Sequence, residues 1–466
     1  MPVNSFADYP MSWKPEKERL TSPKYRSLAQ LLTEDILSGT LPPHTKLPPQ
    51  RELADYLDLN LSTITRAFQL CTSQGLLYGI TGKGTFVSPN AAATMALADE
   101  KEEASYIEMG IIKPLDHFNS YTKEAMKTVL NREGTNLLDY SYPMGTPYQK
   151  AAAQKWLSQF SMNPPSSLIA ITAGAQNALA IVLISLFRAG DKIATDFYTY
   201  SNFMELANML QIRLVPVAGD EKGILPDALD AQCRLQHIAG LYVIPAFHNP
   251  TGHSMDEQRR KDLAAIIQKH QLTVIEDDIY VFLQETPATP MAALAPEQTC
   301  YISSLSKAIC SGLRVAYITY PERFSSHIRR GIFNINVKVP SLNSETAGEL
   351  IFSGAAESII KQKREEAKLR REICHRFFPA EPVENMGFSF WVPLPECFYK
   401  IDFEQLAIKN GIHICHSKRF SVGQEDPRQF LRVSLSSPET PAQLEQGLSI
   451  LHKLFTKETA NQDFLI

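Results

Sequence analysis

Apolar residues recur at helical spacing from Tyr25 to Leu37, where Tyr25, Leu28, Leu31, Leu32 and Ile36 share one face and Gly39 ends the run. The spacing predicts a helix. The proline-rich LPPHTKLPP is then a stiff extended connector, and a second helix is predicted over Gln50 to Leu57, burying Leu53, Ala54 and Leu57. After Asp58-Leu59-Asn60 a third begins at Ser62 or just before it, with Ile64, Ala67, Phe68 and Leu70 inward. Two strand-like runs, Leu76 to Ile80 and Thr85 to Val87, flank a Gly-Lys-Gly tip and predict a β-hairpin. Short helices joined by a tight turn and followed by a hairpin have the spacing of a winged helix-turn-helix.

Residues 90–115 shift to alanine and acidic residues without a hydrophobic period, which predicts a linker. From Asp116 onward, short apolar runs alternate with helical stretches: Leu168 to Thr172, Lys192 to Ala194, Arg213 to Val217, Ile238 to Ile244, Thr273 to Glu276, Tyr301 to Ser303 and Val315 to Thr319. That alternation predicts an α/β domain over residues 116–335, with a mostly parallel sheet and helices on both faces. Residues 336–455 read as a smaller α+β domain: an amphipathic segment from Leu342 to Phe378, the strand-like MGFSFWVPLP, GIHICHSKRF and FLRVSLSS, and a last helix from Pro441 to Phe455. The run KQKREEAKLRRE, with its i,i+4 charge pairs, predicts a solvated helix face.

With 466 residues, 44% of them hydrophobic, the chain is long enough for two or three domains. Its net charge of -4 gives no global pull toward nucleic acid, so any such contact must come from a local surface. Seven scattered cysteines predict buried thiols in a reducing compartment, and neither they nor His413, His416 and the other histidines have metal-ligand spacing, so no metal is expected. The N-terminal stretch lacks a signal-peptide core, and the longest apolar run, Ala178 to Phe187, is too short to span a bilayer. The expectation is a cytoplasmic protein without membrane contact.

The candidate chemistry lies in YISSLSKAICSGLR, Tyr301 to Arg314. An amine attacks a carbonyl only when neutral, so Lys307, in a dry pocket or beside a cation such as Arg314, is a candidate imine former. Ser304, Ser306 and Arg314 offer the hydroxyls and planar guanidinium that hold a phosphate dianion. ITAGAQNALAIVLISLF reads as a strand, a small-residue turn and a buried helix whose start, at Ala175 and Gln176, offers amides to the same anion. Asp277, in LTVIEDDIY, stands where it would keep a pyridine nitrogen protonated, and Asn249 and Tyr280 where they would hydrogen-bond a phenolic oxygen. On the residues alone Asp277 is as readily a helix cap, and Asn249 the start of a turn.

In order and spacing, TAGAQ, HNPTG, EDDIY, SLSK and GLR resemble the fold-type I pyridoxal-phosphate aminotransferases over roughly residues 116–455. The resemblance implies pyridoxal 5'-phosphate held as an aldimine on Lys307, its ring nitrogen on Asp277, its phenolate on Asn249 and Tyr280, and its ring against Tyr200. Ala175, Gln176, Ser304, Ser306 and Arg314 would hold the phosphate, Tyr140 would reach the phosphate of a second subunit in a homodimer, and Arg432 would fork onto an amino acid's α-carboxylate. Departures from that pattern are Ser311 in place of a proline, Gln149-Lys150 in place of Leu-Arg, and Phe197-Tyr198 in place of an acidic-proline pair.

LPPQRELADYLDLNLSTITRAF with GKGTFV resembles the winged-helix head of GntR-type bacterial regulators, over residues 24–89. It implies DNA contacts from Arg51, Ser62, Thr63 and Arg66, and from Lys83, Gly84 and Thr85 on the wing, with Leu61 where that family usually has arginine. The combination is the plan of the MocR subgroup. The implied function is a dimeric transcription regulator that binds operator DNA and senses a small amino compound, or pyridoxal phosphate itself, at Lys307. The same residues would serve a catalytically active aminotransferase of amino acids, and that alternative stays open.

Overall fold

The computed structural model describes residues 11–37, 40–42, 45–80, 84–88, 106–132, 137–140, 142–379, 387–423 and 426–462, in two units that divide after Ser105. In the first unit, α1 (Lys24–Leu37), α2 (Gln50–Leu57) and α3 (Leu61–Ser73) lead into a hairpin of β1 (Leu77–Ile80) and β2 (Gly84–Val87). Their apolar stripes meet in one core of Leu28 and Leu32, Leu53 and Leu57, and Ile64 and Phe68. α2 stops at Asp58, in the left-handed conformation (φ 53°), and Asn60 then caps α3, its Oδ1 accepting from the Ser62 amide at 3.0 Å. The proline-rich connector edges the wing, with the Leu47 amide donating to Thr85 and the Val87 amide to Thr45.

The chain before α1 also joins this core, which the hydrophobic pattern did not indicate: Trp13 and Leu20 are buried there, and the Trp13 indole donates to Asp35 at 2.7 Å. Lys83 and residues 90–105 of the expected linker lie outside the described residues. Residues 106–115, assigned to that linker from composition, instead belong to the second unit. There β3 (Ile107–Glu108) pairs with a strand from the far end of the chain, because the Ile107 and Met109 amides donate to Gly411 and His413.

The seven apolar runs become β4 (Ile169–Thr172), β5 (Lys192–Asp196) and β6 (Arg213–Val217), then, after the small hairpin β7 (Gly219–Asp220) and β8 (Gly223–Ile224), β9 (Gly240–Val243), β10 (Thr273–Asp277), β11 (Thr299–Ser304) and β12 (Ala316–Thr319). They form one sheet in the order β4-β12-β11-β10-β9-β5-β6, parallel except for β12, which runs antiparallel to both neighbours. The physical reason is the connection. Between β11 and β12 the chain makes only the short helix Leu305–Ala308 and the turn Ser311–Leu313, too little for a parallel crossover, so it doubles back. That doubling-back segment carries Lys307 and Arg314.

A smaller sheet of β13 (Ser389–Pro393), β15 (Cys415–His416) and β16 (Phe430–Ser434) follows, with β16 central; β14 (Ile412–His413) is the partner of β3. Arg432 is therefore on a middle strand. The segment expected from Leu342 to Phe378 is two helices, Ser341–Phe352 and Ala355–Phe377, broken at Gly354 (φ 81°). Its charge run is not the solvated face expected: Lys363 (0%) and Arg370 (1%) are fully buried. The Arg370 guanidinium donates to the carbonyls of Leu435 and Pro438. Among the described residues no helix is long and apolar enough to cross a membrane.

Candidate functional site

Lys307 projects from the short helix that follows β11, and its amine donates to the carbonyl oxygen of Ile112. Burial, then the charges of Arg432, Lys363 and Arg314, push its ammonium down to about 8. That leaves about a tenth of the amine neutral at pH 7, far more than an ordinary lysine holds, and the neutral amine is the imine-forming species. Lys363 was missed by sequence reasoning. It donates to the carbonyls of Lys307 at 3.1 Å and Ile309 at 2.9 Å, and burial pushes its own ammonium down to about 8.

Asp277, at the end of β10, accepts from the Tyr242 hydroxyl at 2.9 Å through Oδ2, while the buried Oδ1 has no partner. Burial and the neighbouring Asp278 push this carboxyl up to about 7. Asn249 accepts from Arg432 Nη1 at 2.7 Å, Arg432 Nη2 donates to the Gly110 carbonyl at 2.6 Å, and the buried Arg432 Nε has no partner. Tyr200 and Tyr280 complete this side. Burial pushes the Tyr200 phenol up to about 12 and raises that of Tyr280, and both feel the charges of Asp277 and Arg432.

Opposite them lies an anion cradle. Gly174 (φ 89°) opens helix Ala175–Leu186, and a Cβ there would fall 2.5 Å from Arg314 Nη2. Only glycine lets the guanidinium lie against the helix start, whose first amides have no intrahelical acceptor. Arg314 Nη1 donates to the Ser306 hydroxyl at 3.1 Å, and the Ser304 oxygen caps the short helix by accepting from the Ser306 amide at 3.2 Å. Gln176 turns to the Asn202 carbonyl at 3.3 Å.

The residues gathered here fit pyridoxal phosphate. The cradle suits its phosphate, the orphaned Asp277 oxygen a ring N–H, Asn249 and Tyr280 a phenolate, and Lys307 its carbonyl carbon. Tyr140 is not brought to this site: it is 84% exposed, next to Leu138 at 98%. A cavity of about 660 Å³ in the same unit is lined by other residues, among them the departing pair Phe197 and Tyr198. At its wall His248 and His253, which no sequence spacing marked as ligands, meet Asp196.

On the head, Arg51, Ser62 and Arg66 are exposed, Thr63 is half-buried, and Gly84 and Thr85 open β2. The Arg66 guanidinium lies 4.7 Å over the Tyr25 ring. Leu61 is 39% exposed at the first position of α3.

Residues 108–451 match the family described as Aminotransferase class I and II, and residues 24–87 the bacterial regulatory proteins of the gntR family. The chain is 38% identical to the uncharacterized HTH-type transcriptional regulator YdeF of Bacillus subtilis, over 97% of this chain and 99% of that one. It is 23% identical to the HTH-type transcriptional regulator TauR of Rhodobacter capsulatus, over 91% and 94%. Among solved structures, an archaeal alanine:glyoxylate aminotransferase is similar in fold, with a TM-score of 0.70 and 22% identity over 78% of this chain and 93% of that one.

Proposed function

Because the chain belongs to the MocR subgroup of GntR-type transcription regulators, in which a winged helix is fused to an aminotransferase class I and II domain, we propose that it is a regulator whose DNA affinity is set by an amino compound captured at Lys307. The cofactor of such a domain is pyridoxal phosphate, which when bound supplies a carbonyl carbon that exchanges one amine for another. The observation that carries the reading is where the hydrogen bonds of Lys307 and Arg432 go. Each has a donor on the stretch just after β3, at the carbonyls of Ile112 and Gly110 respectively.

In this reading Asp277 keeps a proton on the ring nitrogen, Asn249 and Tyr280 hold the phenolate, and Tyr200 lies against the ring. Ala175, Gln176, Ser304, Ser306 and Arg314 hold the phosphate. The amino compound's carboxylate, where it has one, draws the Arg432 fork away from Gly110, and Lys307 leaves Ile112. The segment from Ile107 to Lys113 then keeps its ladder to β14 but loses both side-chain donors. That segment lies in sequence between residues 90–105 and the rest of the second unit.

Operator contacts fall to Arg51, Ser62, Thr63 and Arg66 and to wing residues Lys83, Gly84 and Thr85. Two heads are needed to span two half-sites, and the exposed Leu138, Tyr140 and Tyr142 support a homodimer in which Tyr140 enters the partner's site.

Purified chain given pyridoxal phosphate is expected to gain visible absorbance that Lys307→Ala lacks. Alanine is expected to change its affinity for the DNA upstream of its own gene more than ethylamine does, and Arg432→Gln to erase that difference. An affinity indifferent to coenzyme and to both amines would overturn the reading. The complete pocket also favours a second reading, a turning-over aminotransferase. Sustained exchange between an amino donor and a keto acid, with no effect on DNA binding, would select it.

A further inference from the structure

Asp196 ends β5, and His248 and His253 flank the turn from Asn249 to Gly252; all three side chains are buried. Their facing atoms have nothing to bind. Asp196 Oδ2, His248 Nε2 and His253 Nε2 are buried polar atoms without a hydrogen-bond partner. Three such atoms in one corner are an anomaly in a folded protein, where a buried polar group is almost always satisfied.

Their spacing is that of ligands rather than of hydrogen-bond partners. His248 Nε2 is 3.5 Å from Asp196 Oδ2, and His253 Nε2 is 3.8 Å from Asp196 Oδ1. A single cation with bonds of about 2.0–2.1 Å holds neighbouring ligands roughly 3.4 Å apart in a tetrahedron. The donor atoms of all three residues lie within 4.8 Å of one another.

The far sides of the rings are already arranged. Thr251 Oγ1 lies 2.7 Å from His248 Nδ1 and 2.7 Å from His253 Nδ1. One hydroxyl oxygen can accept from two N–H groups, and with both rings as Nδ1–H tautomers both Nε2 lone pairs face Asp196. Space beside His253 Nε2 is kept by Gly223, where a Cβ would fall 2.8 Å away.

An ion pair between Asp196 and one protonated ring would satisfy that ring and the carboxylate but leave the other ring's Nε2 bare. Charging both is opposed by their stacking, with centroids 4.4 Å apart and planes 9° from parallel. A divalent cation satisfies all three atoms at once, with both rings neutral and the carboxylate ionised. We propose that Asp196, His248 and His253 bind one divalent first-row transition-metal ion of the zinc class, with an open coordination position facing the cavity. Two imidazoles and one carboxylate are the donors such ions take, and three protein ligands leave a position for water or a carboxylate.

That position opens on the cavity of about 660 Å³, whose wall also carries Tyr198, Trp391, Asp220 and Arg428. Each Nε2 lone pair lies in its ring plane, so loading turns the rings out of their stack. His248 adjoins Asn249, the residue that holds Arg432.

The full chain, stripped with a chelator and titrated with Zn²⁺ and then Co²⁺, is expected to take up one ion per chain by mass spectrometry. Co²⁺ is expected to give visible d–d absorption. His253→Gln and His248→Gln should each weaken uptake about a hundredfold, and Thr251→Val, which removes only the shared acceptor, about tenfold. Circular dichroism reports folding, and His253→Gln stands as the test where His248→Gln does not fold. No stoichiometric uptake by the native chain, unchanged uptake in folded His253→Gln, or uptake lost in His413→Gln but kept in His253→Gln would each overturn the site.

Discussion

The Lys363 ammonium donates to the backbone carbonyl of Lys307 at 3.1 Å, so a buried cation braces the turn that presents the reactive amine. The same cation, after burial and Arg432, helps push the Lys307 ammonium down to about 8. Replacing it by methionine keeps the bulk and removes the charge. Lys363→Met is therefore expected to raise the Lys307 pKa and slow coenzyme capture at pH 7, by about tenfold for a shift of one unit. The deficit should vanish as the pH is raised toward 10, where both proteins hold a neutral amine. Stopped-flow visible absorbance across that range checks it; a slowing that does not change with pH would mean that Lys363 braces the turn and does no more.

Asp277 gives a pH dependence of opposite origin. Its carboxyl, pushed up to about 7 by burial and then by Asp278, binds a proton in the folded chain that it releases in the unfolded one. Its contribution to the stability of the coenzyme-free protein is thus lost as the pH rises from about 4 to about 7. A shift of about three units corresponds to at most about 4 kcal/mol. Asp277→Asn, which still accepts from Tyr242, is expected to stabilise the coenzyme-free chain at pH 8 and not at pH 4. It should also weaken pyridoxal phosphate binding by about tenfold or more, since the protonated ring nitrogen loses its counter-charge. Denaturant melts at the two pH values, with and without coenzyme, read both effects.

How much of the fold and site was legible in the sequence depends on which signal carried it. Short continuous apolar runs placed all seven strands of the large sheet, because most are buried along their whole length, and the 3.6 period placed the three head helices, because each buries one apolar stripe. Lys363 and Arg370 were misread although the pattern held them. In helix Ala355–Phe377 the buried positions Ala356, Ile359, Ile360, Lys363, Ala367, Arg370 and Cys374 follow helical spacing, with two cations on the inward stripe. Charge overrode period in the reading, whereas in the fold backbone carbonyls of distant segments receive both cations. The reversal of β12 was written in the short connection from Ser304 to Ala316, too little chain for a parallel crossover, whereas the gathering of Asp196 with His248 and His253 left no local signal, since it arises from how separate strands come together.

Gly174 tests the anion cradle. Its backbone (φ 89°, ψ 168°) lies where only glycine rests without strain of about 1–3 kcal/mol, and a methyl group there displaces the Arg314 guanidinium. Gly174→Ala is expected to weaken pyridoxal phosphate binding by about tenfold or more, because a charge-assisted hydrogen bond to the phosphate goes unmade. Pyridoxal, which has no phosphate to lose, should bind the variant and the native chain alike. Equal weakening of both would place the defect in the fold rather than in the cradle.

The head offers a test that separates geometry from charge. Arg51 and Arg66 are exposed near the start of α2 and on α3, and Arg66 is held 4.7 Å over the Tyr25 ring before any DNA arrives. If both cations meet phosphates, Arg51→Ala and Arg66→Ala should each lower the slope of log affinity against log salt by about one, with the loss similar on all sequences. If Arg66 instead reaches a base edge, its loss costs about 1–3 kcal/mol on the operator alone. Tyr25→Leu keeps the charge and removes the platform, so it should leave the slope unchanged while weakening binding through the freedom Arg66 regains. Asn60→Ala unties the α3 cap, at a cost of about 1 kcal/mol. It should lower the melting temperature of the head and, at temperatures where the head stays folded, leave the salt slope as it was. A slope that falls in Asn60→Ala but not in Arg51→Ala would mean that helix placement, and not these cations, carries the electrostatic contact.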